Sequence, residues 1–227
     1  MMKLGLTLAS AALALVTLSS TTHATLLPNG TVTAAPSVIT LGSFTTLATS
    51  TQNFTGVSAD PSAPTPFTGS FTTSVINEGS ANSLGGLTFV YDFGNNGPNT
   101  LRRFTATNFG GFTVDVGYDG PGPIVGAATI NPLNLDRSST ASDNGAVIGF
   151  DFTGGTQPGV AAGQSSSYLV IRTNANSFRT GGVSIIDGGT ANVPAFAPTS
   201  VPEPGTMVAA LLGLTAIGGL RLRRRVK

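Results

Sequence analysis

Hydrophobic positions follow three regimes along the chain. Leu4–Leu18 is apolar almost without a break, and so is Met207–Leu220 near the other end. Between them, apolar residues come in short stretches that alternate with Thr, Ser, Asn and Gly. Gly86–Gly94 ("GLTFVYDFG") places Leu87, Phe89, Tyr91 and Phe93 on one face and Thr88, Val90 and Asp92 on the other. That is the period of two expected of a strand with one buried and one wetter face. Pro66–Asn77 alternates more loosely, with Phe67, Phe71 and Val75 pointing inward, and Gly111–Tyr118 puts Phe112, Val114 and Val116 on one side. Ser37–Ala48, Arg102–Asn108, Gly145–Phe152, Ser166–Asn174 and Gly181–Gly188 have the same character. No convincing run of helical period interrupts them.

Turn chemistry separates these stretches. "GNNGPN" (94–99) and "DGPGP" (119–123) combine residues that tolerate positive φ with prolines that remove a ladder donor. Seven to nine short strands spaced in this way predict an all-β fold, an antiparallel β-sandwich or jelly roll, although a barrel fits the periodicity equally well. "DPSAPTPF" (60–67) predicts a loop, and "NVPAFAPTSVPEPG" (192–205) an extended linker. The chain therefore divides into a leader at 1–24, a β-domain at 25–191, a Pro-rich linker at 192–200 and a distinct C-terminal segment at 201–227 with one short hydrophobic helix.

The leader has the layout of a secretory signal peptide. Lys3 supplies positive charge, Leu4–Leu18 the apolar region, and "TTHA" the small-residue site, with cleavage expected after Ala24. The apolar stretch is shorter than the ~20 residues that span a bilayer as a helix.

Charge changes once the ends are set aside. The whole chain carries a formal +1, but Thr25–Ser200 holds five basic residues against nine acidic ones, a net charge of −4. No basic stripe is present, so a nucleic-acid partner is not expected. The chain has no Cys, its one His is His23, and its two lysines are Lys3 and Lys227. The processed body thus lacks the imidazole, thiol and amine on which Ser–His, Cys–His, Ser–Lys and Schiff-base chemistry depend. It also lacks the usual zinc ligands. No enzyme activity and no cofactor are expected. Glycoside hydrolysis needs only a pair of carboxylates, but the spacing of Glu78 and the eight aspartates pairs none of them. "DVGYDG" (115–120) and "DRSSTASDNG" (136–145) each bring two aspartates near a turn; neither has EF-hand spacing, and both read as solvated loop acids. "NGT" (29–31) and "NFT" (53–55) are glycosylation sequons that matter only in a glycosylating pathway.

The C-terminal segment has three parts. In "VPEPGT", Val201 and Glu203 each precede a proline and are pushed into extended geometry. Thr206 is a reasonable N-cap. Met207, Leu211, Leu214, Ile217 and Leu220 belong to an apolar stretch, Met207–Leu220, of fourteen residues. As a helix it is about 21 Å long, short of a ~30 Å hydrocarbon core. Arg221, Arg223, Arg224 and Arg225 extend the span along their aliphatic stems and hold the basic tail in the cytoplasm.

Pro202, Glu203 and Pro204, followed by the apolar run and the arginine cluster and paired with a signal peptide, resemble the PEP-CTERM sorting signal of exported bacterial proteins. The resemblance covers about 27 residues. It implies an exosortase, a membrane-embedded cysteine protease, as processing partner and a transient stay in the inner membrane. It also implies delivery to the cell surface or exopolysaccharide matrix of a bacterium with an outer membrane. The leading expectation is a non-enzymatic structural or adhesive protein. A secreted carbohydrate-binding module is the alternative, to be recognised by a groove lined by Tyr and Asp; its aromatic candidates beyond phenylalanine are Tyr91, Tyr118 and Tyr168. A carboxylate-based glycosidase is the third.

Overall fold

Phe and small hydroxyl residues alternate along Pro66–Asn77, and the structure turns that alternation into a strand whose Phe67, Phe71, Thr73 and Val75 are buried. The same rule operates throughout. The structure is a computed structural model and describes residues 25–34, 36–57, 66–120, 128–139 and 144–199. The signal-peptide reading, its cleavage after Ala24 and the whole of 201–227 lie outside the described residues. The strands in chain order are β1 (Thr25–Leu26), β2 (Val32–Ala34), β3 (Ser37–Val38), β4 (Thr45–Val57) and β5 (Pro66–Asn77). Next come β6 (Thr88–Asn95), β7 (Arg103–Ala106), β8 (Val114–Asp119), β9 (Thr129–Ile130) and β10 (Asn134–Arg137). The series closes with β11 (Ile148–Asp151), β12 (Ser165–Ser166), β13 (Tyr168–Thr173), β14 (Phe178–Asp187) and β15 (Gly189–Pro198). The helical content of the described residues is a single 3₁₀ turn at Gly79–Ala81.

The strands form two sheets. In the first, β4, β5, β6, β13 and β8 lie side by side and antiparallel; β1 and β3 add to β8, and β12 with β9 extends from the end of β6. The second runs β15–β14–β7–β11–β10–β2, antiparallel throughout. Their inner faces meet in an aromatic core. Phe104 of the second sheet contacts Phe71, Tyr91 and Phe93 of the first, with centroids 6.1, 5.4 and 6.0 Å away, and Phe150 beside it at 6.0 Å. These spacings suit offset or edge-on ring contacts. Tyr91 is fully buried, and its hydroxyl donates to Phe196 O across the sandwich at 2.7 Å, so the polar group is satisfied. The periodicity admits a sandwich or a barrel, and two sheets sharing one core are compatible with the sandwich.

Three expectations need correction. Asn192–Pro198 is not linker but most of β15, in register with β14 from Gly182↔Pro194 to Phe178↔Pro198. An edge strand tolerates prolines because their missing N–H need not face a neighbour. Ser37–Ala48 is not one strand; it breaks at Leu41–Phe44 between β3 and β4. Lastly, the wetter face expected of β6 is covered: Thr88, Val90 and Asp92 are as buried as the core-facing residues around them.

The broken segment lies on the same outer face, packed on Val170 of β13 and beside Val90 of β6. β3 pairs with β8 at one edge of the first sheet, and β4 lies at the opposite edge. The chain between them, Ile39–Phe44, has to cross the sheet's outer face as a strap. Ile39 and Val170 form a small second core there, with Leu41 and Tyr168 against them. Ile39 N donates to Tyr118 O at 2.7 Å, Leu41 N to Asp119 Oδ2 at 3.1 Å, and Arg172 Nη2 to Thr40 O at 3.5 Å. Gly117 makes the approach possible, because a Cβ there would collide with Ser37 O and lie 2.8 Å from Ile39 Cγ1.

Candidate functional site

Beside the strap, the outer face of the first sheet opens into a groove of about 390 Å³. This lies near the lower end of the ~300–1,000 Å³ range of small-molecule sites. Leu41, Ile76 and Val90 supply apolar surface, Thr46 and Ser74 supply hydroxyls, and Phe44 stands at the side with 49 % of its surface exposed. Tyr168 and Asp119 complete the lining. Each arrives by strand alternation. Tyr168 and Val170 point outward from β13 while Leu169 and Ile171 enter the core, and register pairs Tyr168 with Asp119 on β8.

The electrostatics of the face are set by a few groups. Asp92 on β6 lies opposite Thr72 on β5, which hydrogen-bonds its carboxyl. Burial raises the Asp92 pKa to about 7 against that bond. The Tyr168 phenol is raised by burial first, then by the negative charges of Asp92 and Asp119. Asp92 does not line the groove; Asp119 is the carboxylate that does. The charge of Arg172 reaches Asp119, but its hydrogen bonds go to Glu78 and Thr40. Arg172, pointing outward from β13, is held by Glu78 through Nη2–Oε2 at 2.6 Å and Nε–Oε1 at 2.9 Å, and Glu78 also accepts from Thr88 Oγ1 at 2.5 Å. The Glu78 bond is the main reason the Arg172 pKa is raised, and its side chain is 10 % exposed against 0 % for Glu78.

Elsewhere the ionic groups are structural. Arg137 donates to the carbonyls of Leu27, Phe109, Phe112 and Gly145, tying three loops together, and its pKa is lowered by burial. Arg103 pairs with Asp136 at 2.7 Å, while Arg102 lies 3.9 Å from Asp187, so the two adjacent arginines serve different carboxylates. Of the aspartates weighed for calcium, Asp136 is in that ion pair, Asp115 and Asp119 lie on β8, and Asp143 is outside the described residues. Among the described residues no three His, Cys, Asp or Glu side chains gather as a metal site.

Of the three tyrosines singled out in the sequence, Tyr91 is in the core, Tyr118 is half-buried, and Tyr168 reaches the groove. Phe44 is not legible as a groove residue because "SVITLGSFTTLA" reads as one strand; the Gly42–Ser43 pair within it is the signal of a break. The sorting residues Pro202, Glu203 and Pro204, the apolar residues 207–220 and Arg221–Arg225 fall outside the described residues. Among the described residues no helix is long and apolar enough to cross a membrane. No protein-family model matches the chain, and neither a curated protein nor a solved structure is detectably similar to it.

Proposed function

We propose that this chain is an exported, non-enzymatic surface or matrix protein whose β-sandwich binds a neutral glycan in the Tyr168–Asp119 groove. The observation that carries the reading is the pairing of a half-buried tyrosine and an exposed phenylalanine with a carboxylate in one groove. Sugar rings present apolar C–H faces and a rim of hydroxyls. An aromatic side chain covers the first, and Asp119, Thr46 and Ser74 accept from or donate to the second. A neutral sugar is favoured over an acidic one because Asp119 faces the groove while Arg172 is committed to Glu78. The volume accommodates one or two rings, so affinity per site is modest and avidity comes from repeated display.

Binding is favoured over hydrolysis by the position of the carboxylates. Glycosidases flank the scissile bond with two. Here Asp119 lines the groove, and Asp92 lies behind it, hydrogen-bonded to Thr72. Export rests on the PEP-CTERM resemblance of 201–227, which also supplies the exosortase and the inner-membrane intermediate.

Affinity electrophoresis of the full chain through gels containing neutral or acidic polysaccharides tests the groove. Retardation by a neutral polysaccharide is expected, with Tyr168→Ala, Phe44→Ala and Asp119→Ala each weakening it by about tenfold or more, which corresponds to ~1.4 kcal/mol. Retardation by acidic polysaccharides alone, or equal retardation of Tyr168→Ala and the parent, counts against the reading.

A further inference from the structure

The sheet edges formed by the described residues are not equally protected. β15, a long edge, carries Pro194 and Pro198, and β1, β2, β3 and β9 are only two or three residues long. Both devices discourage pairing with another chain. β4 has neither. It runs for 13 residues, "TTLATSTQNFTGV", with no proline and no charged residue of either sign. It pairs with β5 on one side and, among the described residues, has no ladder partner on the other, while its inner face packs on β15, with Gln52 Nε2 donating to Pro194 O at 2.5 Å. Its register irregularity lies at one end, between Thr46 and Ala48, which leaves Ala48–Val57 as a regular ladder. On its outer face, Thr49 and Thr51 hydrogen-bond across to Ser74 and Thr72 at 3.0 and 3.1 Å. These bonds tie the edge to its neighbour and hold its side chains in ordered rows.

We propose that β4 is a self-association edge: two copies of this chain align their β4 strands antiparallel, centred near Thr51, and join their first sheets into one. A second copy suits this edge better than an unlike partner. Antiparallel pairing of a strand with itself about a two-fold axis is isologous, so residue 51 + n of one copy meets residue 51 − n of the other and the strand must tolerate its own reversed sequence. A strand with charges of one sign placed about the axis fails that condition, because like charges meet across it. β4, made of Thr, Ser, Asn, Gln, Ala, Gly, Leu, Val and Phe, meets it. Thr51 then faces Thr51, and Thr49 of one copy faces Asn53 of the other, which carries the polar outer rows into the second molecule. The pairing does not depend on the groove or its ligand.

The chain has no cysteine, so one introduced thiol is unique. Directly opposed residues of an antiparallel pair bring their Cα atoms to about 4.5–5.5 Å, within disulfide reach. In the purified full chain, Thr51→Cys should form a linked dimer under mild oxidation at least about tenfold faster than Thr180→Cys, on the exposed face of β14. Sedimentation velocity of the parent should show a dimer, and Thr51→Lys should raise its dissociation constant by about tenfold or more while the variant keeps the β-rich circular dichroism spectrum of the parent. A monomer at all concentrations overturns the proposal. So does a dimer that persists undiminished in Thr51→Lys, or crosslinking at 51 no faster than at 180.

Discussion

Asp92 sits on a face that alternation alone would leave wet. It faces Thr72 on β5, Tyr168 on β13 and, beyond it, Asp119 on β8. Burial raises its pKa from 3.8 to about 7, so it holds a proton in the native state that the unfolded chain releases in the ordinary carboxylate range. Between those values the native state binds more protons than the unfolded one, and stability falls as pH rises. Urea unfolding followed from about pH 4 to about pH 8 should therefore show declining stability from this group, and Asp92→Asn should flatten the decline. A variant as pH-sensitive as the parent contradicts the assignment. Glu78 and Arg172 are buried as a pair, which makes each necessary to the other. Glu78→Gln leaves the guanidinium without its counter-charge and should cost ~3–5 kcal/mol in the same assay. The sequence named Glu78 only as one carboxylate among nine, since its partner is 94 residues away and only the sheet brings them together.

At the scale of elements, period-two alternation was legible wherever both faces differed. The inward Phe67, Phe71, Val75, Phe89, Tyr91 and Phe93 are all buried in one cluster. Alternation failed where a neighbour supplied the contrast. β15 is strung with prolines and reads as linker, yet an edge position accommodates them and β14 supplies a full partner. The strap reads as a strand because Ile39 and Leu41 are apolar at a spacing of two, although they cover a sheet rather than join it. Gly117→Ala tests the strap directly. The added methyl collides with Ser37 O and crowds Ile39, so the strap must lift, at about 1–3 kcal/mol. The groove should then lose its wall, and glycan retardation should weaken although no lining residue has changed. Phe104→Ala probes the core beneath, where one ring touches four others. A loss of ~3–5 kcal/mol is expected in urea unfolding.

For the whole molecule, the proposed sorting signal and the proposed groove differ in how local they are. Pro202–Glu203–Pro204, the apolar run and the arginines are contiguous, so the resemblance they carry is readable without a fold. The groove draws Phe44, Asp119 and Tyr168 from distant parts of the chain and exists only once β3 and β4 take opposite edges of a sheet. Replacing Pro202–Glu203–Pro204 with alanines should leave membrane insertion intact and abolish processing. Fractionation should then show the unprocessed chain in the inner membrane and a depleted surface pool; normal surface levels would contradict the sorting reading. On the proposed reading, a displayed domain with a glycan groove and a self-pairing edge would have the two kinds of contact a matrix component needs. The central claim is the groove, and chemical-shift mapping of the isotope-labelled chain, titrated with a neutral oligosaccharide that it retains, tests it most directly. Saturable shifts confined to Phe44, Asp119, Tyr168 and the neighbouring strap and strand residues are the predicted result. Shifts elsewhere on the sandwich, or none at saturating sugar, would contradict it.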